Sequence, residues 1–284
     1  MKTSIYNGIE IVEINNPLAS AKIALAGAHI ISYTPAGGSE LFWMSEKSDF
    51  EYGKAIRGGI PVCWPWFGDK PGEANKHGYV RNEKWSVKAV ADLKDGSTLV
   101  TLELSDKDLK FSKAAFPFNV QMTFYIGKHI EVTLTACNLG DEPVETASAL
   151  HTYFAVSDIS NVKISGLENA EFSNRVVGAD PAPVSESEAV VIDCEVDRLY
   201  INTSSAVTIT DSGNGKVIKI EKCGSNSTVV WNPWIAKSSK MADFAADGYR
   251  TMVCVEAVAA FDDARILYPG VVSSITQKIT VTEL

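Results

Sequence analysis

The sequence predicts an all-β protein, a large antiparallel β-sandwich with few short helices. Short stretches rich in Val, Ile, Thr, Phe and Tyr recur along the chain, and clusters of Gly, Asn, Asp and Pro separate them. Few segments sustain the 3.6-residue period of an amphipathic helix. More than ten such stretches of uneven length suit two large packed sheets better than a closed barrel.

In chain order, strands are expected at about 21–34, 98–104, 119–126, 130–137, 144–154, 206–210, 216–221, 227–231, 251–258 and 272–281. Gly127-Lys128-His129 lies between two alternating runs and reads as a hairpin turn, as does Asp211-Ser212-Gly213-Asn214-Gly215 before the run that starts at Lys216. Two segments between strands are richer than a connection needs. Arg57–Gly68 holds Trp64, Trp66, Pro61 and Pro65, with Pro71 and then Lys76-His77-Gly78-Tyr79-Val80-Arg81-Asn82 close behind. Prolines stiffen such a loop, glycines let backbone approach a ligand, and Arg57, Lys76, His77 and Arg81 ring it with donors. It is either a binding wall or a packed loop covering one end of the sandwich. Val230-Trp231-Asn232-Pro233-Trp234, with Lys237 and Lys240 nearby, repeats the Trp/Pro theme and reads as the opposite rim of one cleft.

With 284 residues, no linker-like stretch and no internal repeat, residues 1–284 are expected to form one domain. The net charge of −9 and sequence pI near 5.0 argue against nucleic acid or an acidic membrane surface as partner. No apolar run reaches about 18 residues and the first residues lack a leader pattern, so a cytoplasmic protein without membrane association is expected. Five scattered cysteines, with no C-x-x-C or other metal spacing, are expected as buried free thiols with no disulfide framework. No exposed apolar repeat calls for an obligate oligomer, and a monomer is the default.

Two polar residues stand alone in apolar runs: His151 in Ser148–Phe154 and Glu256 in Thr251–Val258. Strand periodicity puts Glu256 on a face with Met252, Cys254 and Val258, where it is the lone charge. A carboxylate there is either desolvated, its pKa raised from about 4.3, or paired with a cation from elsewhere. His151 shares a face with Ala147, Ala149 and Tyr153, which leaves room beside the imidazole, although a core histidine bound to a backbone carbonyl fits the same pattern. Together the two read as a candidate acid/base pair.

Gly27-Ala28-His29, the Arg57–Gly68 loop, His77–Arg81, Leu150–Phe154, Val196–Tyr200, Trp231–Pro233 and Val255-Glu256 occur in an order that resembles the hexose-6-phosphate mutarotases. These are also called glucose-6-phosphate 1-epimerases, or YeaD-like proteins, within the galactose-mutarotase-like group. The resemblance runs from about residue 10 to 280, and its strength lies in seven separated motifs agreeing. It implies a β-supersandwich, a small sugar phosphate as substrate, and no cofactor or metal. The family's acid and base match His151 and Glu256, with Glu256 ionised to take the C1 hydroxyl proton and His151, its pKa raised by the carboxylate, donating to the ring oxygen.

By the same resemblance Arg57 and Arg81 contact the substrate, and a guanidinium suits a phosphate. His77 hydrogen-bonds ring hydroxyls and Asp197 accepts from others. Lys76 departs from the family pattern and either adds a phosphate contact or points to solvent. Arg198 reads as structural, paired with an acidic neighbour, and Trp64 and Trp66 either stack on sugar or pack the wall. The alternatives are a mutarotase of unphosphorylated aldoses, with little use for the cationic cluster, a noncatalytic sugar-phosphate-binding protein, and a glycoside hydrolase or lyase, which would want a second catalytic carboxylate or a tyrosine base where Asp197 is the only matched candidate.

Overall fold

A computed structural model describes residues 2–180 and 182–284. Two eight-stranded sheets dominate it. The back sheet runs Val162–Ser165, Val207–Asp211, Lys216–Cys223, Val272–Glu283, Ile130–Asn138, Phe118–Ile126, Thr98–Ser105, Ser86–Asp92. The site sheet runs Val184–Ser185, Glu171–Asn174, Val196–Tyr200, Ser227–Asn232, Met252–Ala259, Ser148–Leu150, Val62–Cys63, with Tyr153–Ala155 also paired to Met252–Ala259. All pairings within them are antiparallel. A four-stranded N-terminal sheet (Lys2–Tyr6, Ile9–Asn16, Ala19–Ala24, His29–Pro35) and the pair Val144–Thr146/Arg265–Leu267 complete the strands, and Trp234–Ser238 is the one α-helix among the described residues.

The main core lies between the sheets, with Val100, Leu102, Val120, Met122 and Phe124 from one side meeting Val230, Val253, Val255, Leu150 and Phe154 from the other. In Phe118–Ile126 burial alternates with period two, as expected where one face is covered and the other is half exposed. Met252–Ala259 is buried at every position, because a second apolar cluster of Trp43, Tyr153, Trp231, Phe244, Met252, Cys254 and Val258 covers its other face. Its continuous apolar sequence, broken only by Glu256, follows from that double burial.

Eight of the ten expected strands are found with ends shifted by one or two residues. The other two are subdivided. Residues 21–34 form parts of two strands, turned between Ala24 and His29 where Gly27 and Ala28 take φ of 73° and 47°. Residues 144–154 form three pieces, Val144–Thr146, Ser148–Leu150 and Tyr153–Ala155, since the segment changes sheet and then breaks at His151 and Thr152. Both hairpins are present, with Ile126 paired to Ile130 and Asp211 to Lys216.

All five cysteines are free, but only Cys63 and Cys254 are buried; Cys223 is exposed at the end of the strand Lys216–Cys223, and Cys194 in the bend before Val196–Tyr200. Among the described residues no helix is long and apolar enough to cross a membrane.

Candidate active site

The break at residues 151 and 152 sets the site. Leu150 pairs with Ala257 and Tyr153 with Cys254, so the two residues between them pass opposite Val255 and Glu256. Only the Val255 amide, donating to Thr152 O at 3.3 Å, crosses that interval in the backbone. The imidazole of His151 therefore reaches Glu256, and Nδ1 lies 3.5 Å from Oε1.

Below the pair is the strand, and around it are aromatic walls. Tyr153 stacks on His151 at 4.8 Å and 9° between planes, and Trp231 meets the ring edge-on at 5.9 Å. Glu256 is 1% exposed and His151 8%. Among the described residues neither His151 Nδ1 nor Glu256 Oε2 has a hydrogen-bond partner, an unusual condition for buried polar atoms. Burial, helped by Asp197, pushes the Glu256 carboxyl well above its usual range. Burial, then the neighbouring His77 and the positive charges of Arg57 and Arg81, push His151 well below its own. Both directions favour a neutral carboxyl beside a neutral imidazole. This corrects the expectation of an ionised Glu256 raising the pKa of His151: desolvation outweighs the mutual attraction.

His77 approaches from the segment after the tryptophan loop, its ring 5.7 Å from that of His151. Its neighbour Gly78 has φ of 77° and lies against the Trp64 carbonyl so closely that a Cβ would come within 1.9 Å of the oxygen. Gly68 N donates to His77 Nδ1 at 3.2 Å, which fixes the tautomer with the proton on Nε2. Burial and the charges of Arg81, Arg57 and Lys76 hold its pKa at about 3. His77 is thus a neutral donor of fixed orientation.

The cations differ in what already engages them. Arg57 donates through Nη1 to the Tyr153 hydroxyl at 2.8 Å and through Nε and Nη2 to Asp243 Oδ2 at 3.0 and 2.9 Å. Arg81 donates through Nη2 to Lys76 O at 2.9 Å, and its buried Nε has no partner among the described residues. Lys76 is exposed and paired with Asp69 at 3.0 Å. Asp197 lies 3.8 Å from Lys237, two strands from Glu256, with its pKa raised by burial. Arg198 is structural, donating from Nη1 and Nη2 to the two carboxylate oxygens of Glu186 at 2.8 and 3.1 Å.

The Arg57–Gly68 segment is tied along the site sheet as an edge: His151 N donates to Pro61 O, Tyr153 N to Gly59 O and Ala147 N to Pro65 O. Its tryptophans serve packing. Trp64 is fully buried in the main core against Tyr79, Phe116 and Phe118, and Trp66 packs on Tyr79 while donating to Asn75 O. The aromatic wall beside the pair comes instead from Tyr153 and Trp231, which joins the Trp231–Pro233 motif to the site.

The donor atoms of His151, Cys254 and Glu256 lie within 4.8 Å of one another. A tetrahedral zinc draws nitrogen and sulfur ligands to roughly 3.5 Å apart, and burial pushes the Cys254 thiol well up, against the thiolate a metal needs. The set suits proton transfer better than metal binding. The open cavities of about 430 Å³ beside Trp43 and Arg250 and about 860 Å³ between Gly37 and Lys216 include neither member of the pair.

Sequence reasoning missed Asp243 and Gln277. Asp243 lies in a loop with no pattern to mark it. Gln277 was legible by the rule that found Glu256, as a lone polar residue between Ile275 and Ile279 on the inward face of its strand.

A desolvated carboxyl beside an imidazole, with a fixed neutral donor and two guanidinium groups nearby, defines an acid/base isomerase on an all-β sandwich. The family model for "Aldose 1-epimerase" matches residues 10–280, and the chain belongs to that family. It is 35% identical over 253 residues to the "Putative glucose-6-phosphate 1-epimerase" of Salmonella typhimurium, covering 89% of this chain and 84% of that one. The protein of the same name from Escherichia coli K12 is 35% identical over 259 residues, covering 91% and 86%. The crystal structure of a "putative mutarotase (YeaD)" from Salmonella typhimurium superposes with a TM-score of 0.91 at 32% identity, covering 99% of this chain and 93% of that one.

Proposed function

We propose that this protein interconverts the α and β anomers of hexose 6-phosphates, with glucose 6-phosphate the first substrate to test. The names of the relatives support the substrate class, and one observation carries the chemistry: His151 and Glu256 face each other at 3.5 Å, each with a buried polar atom otherwise unpartnered.

Anomer exchange needs a base at the C1 hydroxyl and an acid at the ring oxygen, and no redox step. The resting pair holds one transferable proton, on Glu256, beside the Nε2–H that the neutral imidazole keeps throughout. Its passage to His151 Nδ1 leaves a carboxylate and an imidazolium, the armed state. Glu256 then takes the O1 proton, the C1–O5 bond breaks, and His151 gives a proton to O5, so that an open-chain aldehyde forms. Rotation about C1–C2 and closure with the proton transfers reversed give the other anomer. The pair starts and ends with the same single transferable proton. His77 Nε2–H donates to a ring hydroxyl, Asp197 accepts from others, and Arg57 and Arg81, with Lys76 at the margin, hold the phosphate. The unbroken family match from 10 to 280 and a core shared from Val12 to Ile279 support one domain.

The engagement of Arg57 by Asp243 and Tyr153 favours a second reading, a mutarotase of unphosphorylated aldoses. Exchange NMR on equilibrated glucose 6-phosphate and on glucose separates them. Enhanced α/β cross-peaks for the phosphate alone support the proposal, equal enhancement supports the free-sugar reading, and none for either overturns both.

A further inference from the structure

We propose that Gln277 is a positioning residue for the acid/base pair, its amide reaching from the back sheet to clamp the residue beside each partner. The proposal rests on the roles assigned above to His151 and Glu256.

Gln277 is fully buried on the core face of Val272–Glu283. A primary amide there is strongly disfavoured unless its donors and acceptor are used. Its Oε1 accepts from Thr152 Oγ1, and its Nε2 donates to Val255 O at 3.0 Å. Thr152 directly follows His151, and Val255 directly precedes Glu256. One planar group therefore spans both strands from behind, at the interval where the backbone ladder is thinnest and only the 3.3 Å Val255–Thr152 bond crosses. Neighbouring side chains on a strand point to opposite faces, so fixing Thr152 and Val255 from the core fixes the origin of His151 and Glu256 on the other side.

The pair needs such support because it does not hold itself. At 3.5 Å, Nδ1 and Oε1 are beyond the usual range of a hydrogen bond, and no other side chain is bonded to Glu256 among the described residues. Acid/base chemistry tolerates displacement poorly, and a misplacement of about 1 Å costs on the order of 10²-fold in rate. A Gln277 that merely filled the core would contribute to stability and leave turnover alone.

Gln277→Met keeps length and volume while removing both bonds. Thr152→Val removes the hydroxyl with little change in shape, and Thr152→Ser restores it. Saturation kinetics of glucose 6-phosphate anomer exchange are measured for each beside Glu256→Gln, with circular dichroism and thermal unfolding to establish the folded fraction. The expected result is a fall in kcat of about 10- to 100-fold for Gln277→Met and Thr152→Val at KM within about threefold of the parent, with Thr152→Ser near the parent. The acid limb of the kcat/KM profile is expected to move in the first two variants only. Unchanged kcat in folded Gln277→Met, with Glu256→Gln inactive, overturns the proposal while sparing the acid/base reading. Full exchange by Glu256→Gln overturns that reading instead. If Gln277→Met does not fold, Thr152→Val decides: parental kcat and pH profile overturn the proposal.

Discussion

Asp243 Oδ2 binds Arg57 at two of the three guanidinium nitrogens, Nε at 3.0 Å and Nη2 at 2.9 Å, while Tyr153 takes the third. The arginine beside the proposed acid/base pair is therefore oriented and partly neutralised before any ligand arrives. Burial alone would lower its pKa, yet Tyr153 and Asp243 raise it, so it stays charged at every working pH. Among the described residues Arg81 is engaged only by one carbonyl.

That difference predicts an order among the cations. Arg81→Ala is expected to raise KM for glucose 6-phosphate by about 10- to 100-fold, in keeping with the loss of one or more charged hydrogen bonds. Arg57→Ala is expected to cost less, and Lys76→Ala, whose partner is an exposed aspartate, about twofold or less. Competition by free glucose in the same assay provides the control; equal weakening of both sugars by Arg81→Ala would show that it does not read phosphate.

Glu256→Gln is expected to slow exchange by about 10²- to 10⁴-fold, the range for a positioned base, while glucose 6-phosphate still binds within a few-fold of parental affinity. Exchange NMR gives the first number and isothermal titration the second.

Three histidines with lowered pKa values predict how stability depends on pH. Burial lowers His29 to about 4 and, with the neighbouring charges, His77 to about 3 and His151 well below 6.5. Below about 6.5 the unfolded chain binds protons that the folded chain refuses, so stability falls as pH falls toward 4. Each such group contributes about 1.4 kcal/mol per pH unit in that window. Glu256 acts oppositely: its raised pKa makes the folded chain bind the extra proton, so its contribution falls as pH rises above about 4.5. Urea midpoints between pH 5 and 6.5 are expected to drop on acidification, and more steeply in Glu256→Gln, which lacks the opposing group.

Gly78→Ala is expected to cost more than about 2 kcal/mol, because φ of 77° and a Cβ 1.9 Å from Trp64 O cannot both be relieved without moving the backbone. As that shift displaces His77, kcat/KM is expected to fall in whatever protein remains folded. Chemical denaturation and exchange kinetics on one preparation measure both.

Thiol titration with an aromatic disulfide reagent is expected to label Cys194 and Cys223 in the native state, Cys137 slowly, and Cys63 and Cys254 only on unfolding. Rapid native labelling of Cys254 would mean that the floor of the site opens.

Much of this was legible from patterns of two. Strands such as Phe118–Ile126 and Ile130–Asn138 alternate cleanly, and a lone charge in Met252–Ala259 stands out because every neighbour is apolar. Lys2–Tyr6 and Ser86–Asp92 escaped because they are mostly exposed edges whose polar residues dilute the alternation. The break at His151 was hidden for a different reason: it goes with hydrogen bonds donated by His151 N to Pro61 O and by Thr152 Oγ1 to Gln277 Oε1, partners distant in sequence. The protonation of the pair was misread since a sequence shows neighbours but not how much water reaches them. Asp243 could be found only in three dimensions.

The antiparallel register that sets Tyr153 against Cys254 and Leu150 against Ala257 has a practical use. A slip by one residue would turn Glu256 into the hydrocarbon interior and put Val255 in its place on the His151 side of the strand. Turnover thus reports strand alignment at the centre of the molecule, and recovery of activity after dilution from denaturant would time the locking of these strands without any added probe.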